Sequence, residues 1–217
     1  MDSDAITVAV IVINYNAGKF LRPCLEALRQ QSSPADRVIV VDNGSTDGSM
    51  DGVASGFPEV EILSLPENVG FAAANNRAMA MVGDCHWVAL LNPDTVASNE
   101  WLAKLRKAVR EHPRVSMFSS RLVNADRTDL LDGTGDCYHI SGLVWRRDHG
   151  APASRQRPLL ETVFSPCAAA GMYRLDEVLR VGGFDERYFC YNEDIDLAFR
   201  LRLQGAQCLH IDDSMVL

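Results

Sequence analysis

The sequence predicts an α/β protein built around a mostly parallel sheet, and three observations carry that expectation. Short apolar, β-branched runs alternate with longer stretches of helical period as far as residue 122. The runs over residues 8–13 and 87–91 are apolar throughout, as parallel strands covered on both faces are. Three strand ends then turn abruptly polar, at Asn14-Tyr15-Asn16, Asp42-Asn43-Gly44-Ser45 and Asn92-Pro93-Asp94. In an open α/β sheet that carboxyl edge is where ligands sit.

Residues 7–14 read as a central strand. Phe20, Leu21, Cys24, Leu25 and Leu28 follow at helical spacing to residue 31, where Ser32-Ser33-Pro34 stops the helix. A second strand over 37–41 runs into the loop Asp42 to Gly48, in which Asp47 suits the cap of a short helix toward Phe57. Residues 61–65 form a third strand, and Gly70 opens an alanine-rich helix through residue 81. The fourth strand, 87–91, precedes a periodic helix over 100–111 (Trp101, Leu102, Leu105, Val109) that Pro113 ends, and 115–122 is a strand. Residues 124–165 show no sustained period and read as loops with one short strand near 143–145. Strand 168–175, helix 192–204 capped by Gly205, and strand 207–211 complete the pattern.

A chain of 217 residues that is 47% hydrophobic buries a core of moderate size, and one domain is the expectation. Its net charge of -8 argues against a nucleic-acid partner, because counterion release requires a basic face. The longest apolar run, residues 8–13, falls far short of the roughly 20 residues that cross a bilayer. The start Met1-Asp2-Ser3-Asp4 is acidic where a secretory leader is basic. Six cysteines without a Cys-x-x-Cys pair read as free thiols, and five scattered histidines form no zinc pattern. A reducing, cytoplasmic setting follows.

The first strand ends without Gly-x-Gly-x-x-Gly and without a Gly-Lys phosphate loop, so neither a dinucleotide dehydrogenase nor a P-loop enzyme fits. Asp42 suits a base or ribose hydroxyl, and Asp94 suits a divalent cation held against a diphosphate. Alone, either carboxylate equally suits a loop cap. Tyr188, Phe189 and Tyr191 lead into Glu193-Asp194, as aromatic surfaces for sugar rings lead to a general base. First-turn stabilisation of the following helix would explain those two carboxylates as well.

Taken together, Val10 to Asn16, Val40 to Ser49, Asn68 to Arg77, Leu91-Asn92-Pro93-Asp94, Gly182-Gly183-Phe184-Asp185 and Glu193-Asp194 resemble the family 2 glycosyltransferases, most closely their rhamnosyltransferase-type branch. The resemblance runs from Val8 to Ile211. It implies the GT-A fold, a Rossmann-like three-layer α/β/α sandwich, and sugar transfer with inversion from a nucleoside-diphosphate donor. By match, Asn14, Tyr15, Asn16, Asp42, Asn76, Asn92 and Asp94 would bind the nucleotide, with Asn76 holding the loop at Asn14. Asp94 would hold Mg²⁺ or Mn²⁺, and Asp194, beside Glu193, would be the catalytic base. Asn92 stands where the family's metal motif begins with Asp, leaving Asp94 as the one carboxylate assigned to metal. The implied donor is dTDP-L-rhamnose, then a UDP-hexose; the acceptor is a saccharide or lipid-linked saccharide of cell-surface polysaccharide synthesis.

The expected division is a nucleotide-sugar half, 1–122, and an acceptor and catalytic half, 123–217, truncated before the family's C-terminal histidine. His210 reads as structural. Arg146, Arg147, His149, Arg155 and Arg157 would suit a diphosphate-lipid acceptor or peripheral contact at the inner membrane face, against the plainer reading of a solvated charged loop. The alternative functions are a nucleotide-sugar-binding module inactive in truncated form, and a nucleotidyltransferase, which lacks its glycine-rich turn here.

Overall fold

The structure, a computed structural model, describes residues 6–217; the acidic run at 1–4 lies outside the described residues. Strands β1 (Val8–Asn14), β2 (Arg37–Asn43), β3 (Val60–Leu65) and β4 (Trp87–Leu91) alternate with helices α1 (Leu21–Arg29), α2 (Val53–Gly56) and α3 (Phe71–Met79). Then come α4 (Trp101–Glu111), β5 (Met117–Val123), β6 (Leu131–Gly133), β7 (Asp136–Tyr138), β8 (Val144–Arg146), β9 (Leu160–Val163) and β10 (Ala170–Arg174). The chain closes with α5 (Leu175–Arg180), α6 (Glu193–Leu203) and β11 (Cys208–Val216).

The main sheet runs β3-β2-β1-β4-β10-β5-β11-β9, with β6 paired to β5. β1 through β4 are mutually parallel, and so are β5 and β11, while β10 inserts antiparallel between β4 and β5. Every residue of β1 is buried, and its alternation divides the core. Val8, Val10 and Val12 pack on one face against Leu25 and Leu28 of α1 and Trp101 and Leu105 of α4. Ala9, Ile11 and Ile13 pack on the other against Ala74 and Ala78 of α3 and Leu197 and Leu201 of α6. This is the expected three-layer sandwich.

The order of strands sets the position of the ligand edge. From β1 the chain steps outward to β2 and β3 with α1 and α2 on one face, then returns by α3 on the opposite face to β4, beside β1. The reversal lies between β1 and β4, so their carboxyl ends diverge around a crevice. Asn14-Tyr15-Asn16 and Asn92-Pro93-Asp94 flank it.

Residues 124–165 differ from the expected loops: besides β8 they contain β6, β7 and β9. Each is three or four residues long, too short for a visible period, and is held by long-range pairing instead. α5, which follows β10 directly, is likewise too short for a visible period. β11 extends to Val216, past the expected end at 211, because its register shifts between Ile211 and Met215 and interrupts the alternation. All six cysteines are free. No helix among the described residues is long and apolar enough to cross a membrane.

Candidate active site

Two loops at the carboxyl edge brace one another. Buried Asn14 donates through Nδ2 to Ser45 Oγ at 3.0 Å and Ser49 Oγ at 2.9 Å. Asn16, at φ 51°, accepts the Thr46 N–H at 2.8 Å, and its own N–H donates to Ser45 Oγ at 3.1 Å. Asp47 accepts the Gly18 N–H at 2.7 Å rather than capping the helix toward Phe57. Asp42 accepts the Ser45 N–H at 3.0 Å, an Asx-type turn. These bonds hold Tyr15 and Asn16 outward on the wall of a cleft of about 790 Å³. Asn68, Asn92 and Asp94 line the same cleft, whereas Asn14 and Asp42 lie in the bracing behind it.

A second cleft, about 300 Å³, adjoins the first, and the two share Phe71, Asn92 and Cys190. Its walls carry Asp136, Trp145, Arg146, Tyr191, Glu193 and Asp194. Asp194, in the first turn of α6, accepts the Ala168 N–H at 3.1 Å through Oδ2 and the Ile195 N–H at 2.8 Å through Oδ1. Burial raises its pKa against those two hydrogen bonds. Glu193 is 5% exposed, and its Oε2 has no hydrogen-bond partner among the described residues. Burial first, and the Asp194 charge second, push its carboxyl up to about 7. Asp136 is pushed to about 7 by the same two causes in the same order, with Arg146 Nε 3.9 Å from its Oδ1. Burial and the neighbouring Asp194 charge thus both favour the protonated forms of Glu193 and Asp136.

The approach to α6 is seated by two close backbone contacts. The Phe71 N–H donates to the Phe189 carbonyl at 2.7 Å, and Gly70, at φ +88°, lies so close that an added Cβ would meet that carbonyl oxygen at 2.6 Å. Asn76 does not hold the Asn14 loop as expected. Its Oδ1 accepts the Phe184 N–H and its Nδ2 donates to the Phe184 carbonyl, both at 2.9 Å, tying the segment before the aromatic run to α3. The geometry is that of an amide imitating a strand partner, which spacing alone does not reveal. Phe189 lines the first cleft and Tyr191 the second.

Asp136 is a carboxyl group on the second cleft that the sequence pattern does not single out. It stands in an aperiodic stretch, and pairing with Arg146 in the hairpin of β7 and β8 and with Ser165 sets it on Asp194's cleft. The basic residues of 146–157 lie beside acidic partners. Arg146 bonds Asp132 at 2.5 Å, Arg147 Glu161 at 2.8 Å, and Arg155 and Arg157 both bond Asp148 at 2.7 Å. His149 lies 3.5 Å from Asp132. Burial pushes His210 down to about 4 against its bond to Asp212, so it stays neutral inside β11.

Among the described residues no group of three or more His, Cys, Asp or Glu side chains is arranged to hold a metal. Asp94 is an exposed carboxylate on the first cleft, with Asn92 and Asp126 on the same walls. Such a set fits a cation that draws most of its ligands from water and substrate phosphates, as Mg²⁺ does.

Comparison with known proteins places the chain among glycosyltransferases. The chain is 28% identical to the N-acetylglucosaminyl-diphospho-decaprenol L-rhamnosyltransferase of Mycobacterium tuberculosis, over 96% of this chain and 74% of that protein. It is 32% identical to the pre-mycofactocin glycosyltransferase of the same organism, over 93% of this chain and 40% of that one. Among solved structures, GalNAc-T7 with UDP, GalNAc and Mn²⁺ superposes with a TM-score of 0.79 at 12% identity, covering 99% of this chain and 44% of the other. S. aureus TarS 1-349 with UDP-GlcNAc gives 0.71 at 18%, covering 97% and 57%. The chain thus spans less than two thirds of the second relative and of both structures, whose likeness shows the GT-A fold. The model of "Glycosyl transferase family 2" matches residues 9–179, and the chain belongs to that family, on its rhamnosyltransferase-like side.

Proposed function

We propose that the chain transfers a sugar, with inversion, from a nucleoside-diphosphate donor in the first cleft to a hydroxyl of a saccharide or lipid-linked saccharide in the second. The observation that carries this reading is the meeting of the clefts at Phe71, Asn92 and Cys190, with Asp94 on one side and Asp194 on the other. Asp194 takes the acceptor hydroxyl proton as that oxygen attacks the anomeric carbon, and the bond to the diphosphate breaks with its electron pair. The Ala168 and Ile195 amides aim Asp194, and its desolvation raises its affinity for the proton. Glu193 and Asp136, both shifted toward neutrality, limit competing charge beside it.

Asp94, with Asn92 beside it, would hold a divalent cation, which would supply charge neutralisation to the diphosphate. The rhamnosyltransferase relative supports a saccharide acceptor and makes dTDP-L-rhamnose the first donor to test, followed by UDP-hexoses. The acceptor of the rhamnosyltransferase supports a lipid-linked saccharide here. The setting is cytoplasmic, in cell-surface polysaccharide synthesis. A thermal-shift panel of dTDP, UDP and GDP, each with and without Mn²⁺ or Mg²⁺, tests the donor half, since a ligand of the native state raises apparent stability. A rise with dTDP or UDP that increases with the cation is expected. No rise with any nucleotide at millimolar concentration would overturn it.

A further inference from the structure

We infer that the hairpin formed by β7 and β8 is a bilayer contact that holds the second cleft at a membrane surface. Its turn leaves Ile140 93% exposed, Leu143 67% and Trp145 51%, and Tyr191 across the cleft is 81% exposed. Turns ordinarily carry polar residues that bond their own backbone. Here residues 137–145 contain no Asp, Glu, Lys or Arg, in a chain that is 23% charged.

The tip is not a loose end. Tyr138 and Val144 pair across the hairpin, the His139 N–H donates to the Leu143 carbonyl at 2.8 Å, and Tyr138 stacks on Phe164 with ring centres 4.8 Å apart. An ordered apolar tip next to a half-exposed Trp is the composition of an interfacial anchor, with the indole at headgroup level. The occupant is a lipid surface rather than an anionic ligand. Arg146 and Arg147, directly behind the tip, are engaged by Asp132 and Glu161, and the chain's net charge is -8.

Continuity with the site gives the contact its purpose. Asp136, Val144, Trp145 and Arg146 of the same hairpin line the second cleft. Seating the tip in a bilayer therefore opens that cleft toward headgroup level, where a lipid-linked saccharide presents its hydroxyls. The inference rests on the lipid-linked acceptor of the proposed function.

Flotation of the protein with phosphatidylcholine vesicles tests it, together with the double variant Ile140→Asp/Leu143→Asp, whose side chains are exposed and line neither cleft. The expected result is that wild type floats, that the variant's partition coefficient falls at least about tenfold, and that its melting temperature is unchanged. Trp145 fluorescence should shift to the blue on vesicle addition and the shift should vanish in Trp145→Phe, because Trp87 and Trp101 are buried. Wild type that stays unbound, binds only vesicles with anionic lipid, or binds equally in both forms would overturn the inference. So would a variant that changes the oligomeric state, which would make the tip a protein contact. The binding assay needs no sugar transfer: failure to float with intact transfer refutes this inference alone, and floating without transfer refutes the proposed function alone.

Discussion

Gly70→Ala tests whether the aromatic approach to α6 is seated on α3 by direct backbone contact. Gly70 sits at φ 88° and ψ 163°, a region essentially reserved for glycine, so alanine there costs about 1–3 kcal/mol in backbone strain. Its Cβ would lie 2.6 Å from the Phe189 carbonyl oxygen and 2.8 Å from Phe189 Cδ2, so the segment must withdraw. Withdrawal gives up the 2.7 Å bond from the Phe71 N–H, about 1 kcal/mol. The sum is about 2–4 kcal/mol, or roughly 4–16 °C in melting temperature for a domain of this size. Gly205→Ala is the control: its φ is +91°, but an added Cβ meets nothing within 4 Å, leaving strain alone at about 1–2 kcal/mol. Thermal denaturation followed by circular dichroism compares them. Because residues 189–191 line both clefts, Gly70→Ala should also weaken nucleotide binding, which Gly205→Ala leaves alone. Equal melting temperatures and equal nucleotide affinity in the two variants would refute the seating.

Further outcomes follow from the buried carboxyls. Glu193 has a folded pKa raised to about 7 by burial and by Asp194, so it binds more protons folded than unfolded and its contribution to stability falls as pH rises from about 4.5 to 7. Glu193→Gln lacks that loss, and its urea midpoint relative to wild type should climb across the same window; a pH-independent difference would contradict the burial. Asp148 is the reverse case. Burial would raise it, but hydrogen bonds from Arg157, Thr134 and Arg155 outweigh burial and hold it well below the usual carboxylate range. Asp148→Asn keeps the left-handed backbone, which Asn tolerates, and should cost about 1–3 kcal/mol, discounted because Arg155 is half exposed. An unchanged urea midpoint would show that this knot does not hold the segment after β6.

What could be read from the sequence divides along physical lines. β1, β4 and α4 were legible because burial on both faces, or on one stripe, leaves a pattern in the residues themselves. The antiparallel insertion of β10 was not, since hydrophobic period carries no strand direction. Nor were β6, β7 and β9, each too short for a period and defined by partners far along the chain. The same distinction holds for the site. Asp94 and Asp194 follow a strand end and open a helix, so their places were readable, and each lines a cleft. Asp136 owes its place to tertiary pairing with Ser165, and Asn76 to a loop more than a hundred residues away. The pairing of the arginines of 146–157 was not legible either, because their acidic partners are dispersed from Asp132 to Glu161.

In the proposed reaction Asp194 removes the acceptor proton beside a separately built nucleotide cleft. Asp194→Asn preserves shape and can still accept the Ala168 N–H, but it cannot take up a proton. The decisive measurement is sugar transfer together with dTDP and UDP affinity in this variant. The expected result is a kcat lower by about 10²–10⁴-fold with nucleotide affinity unchanged. Full turnover, or loss of nucleotide binding in step with activity, would contradict it.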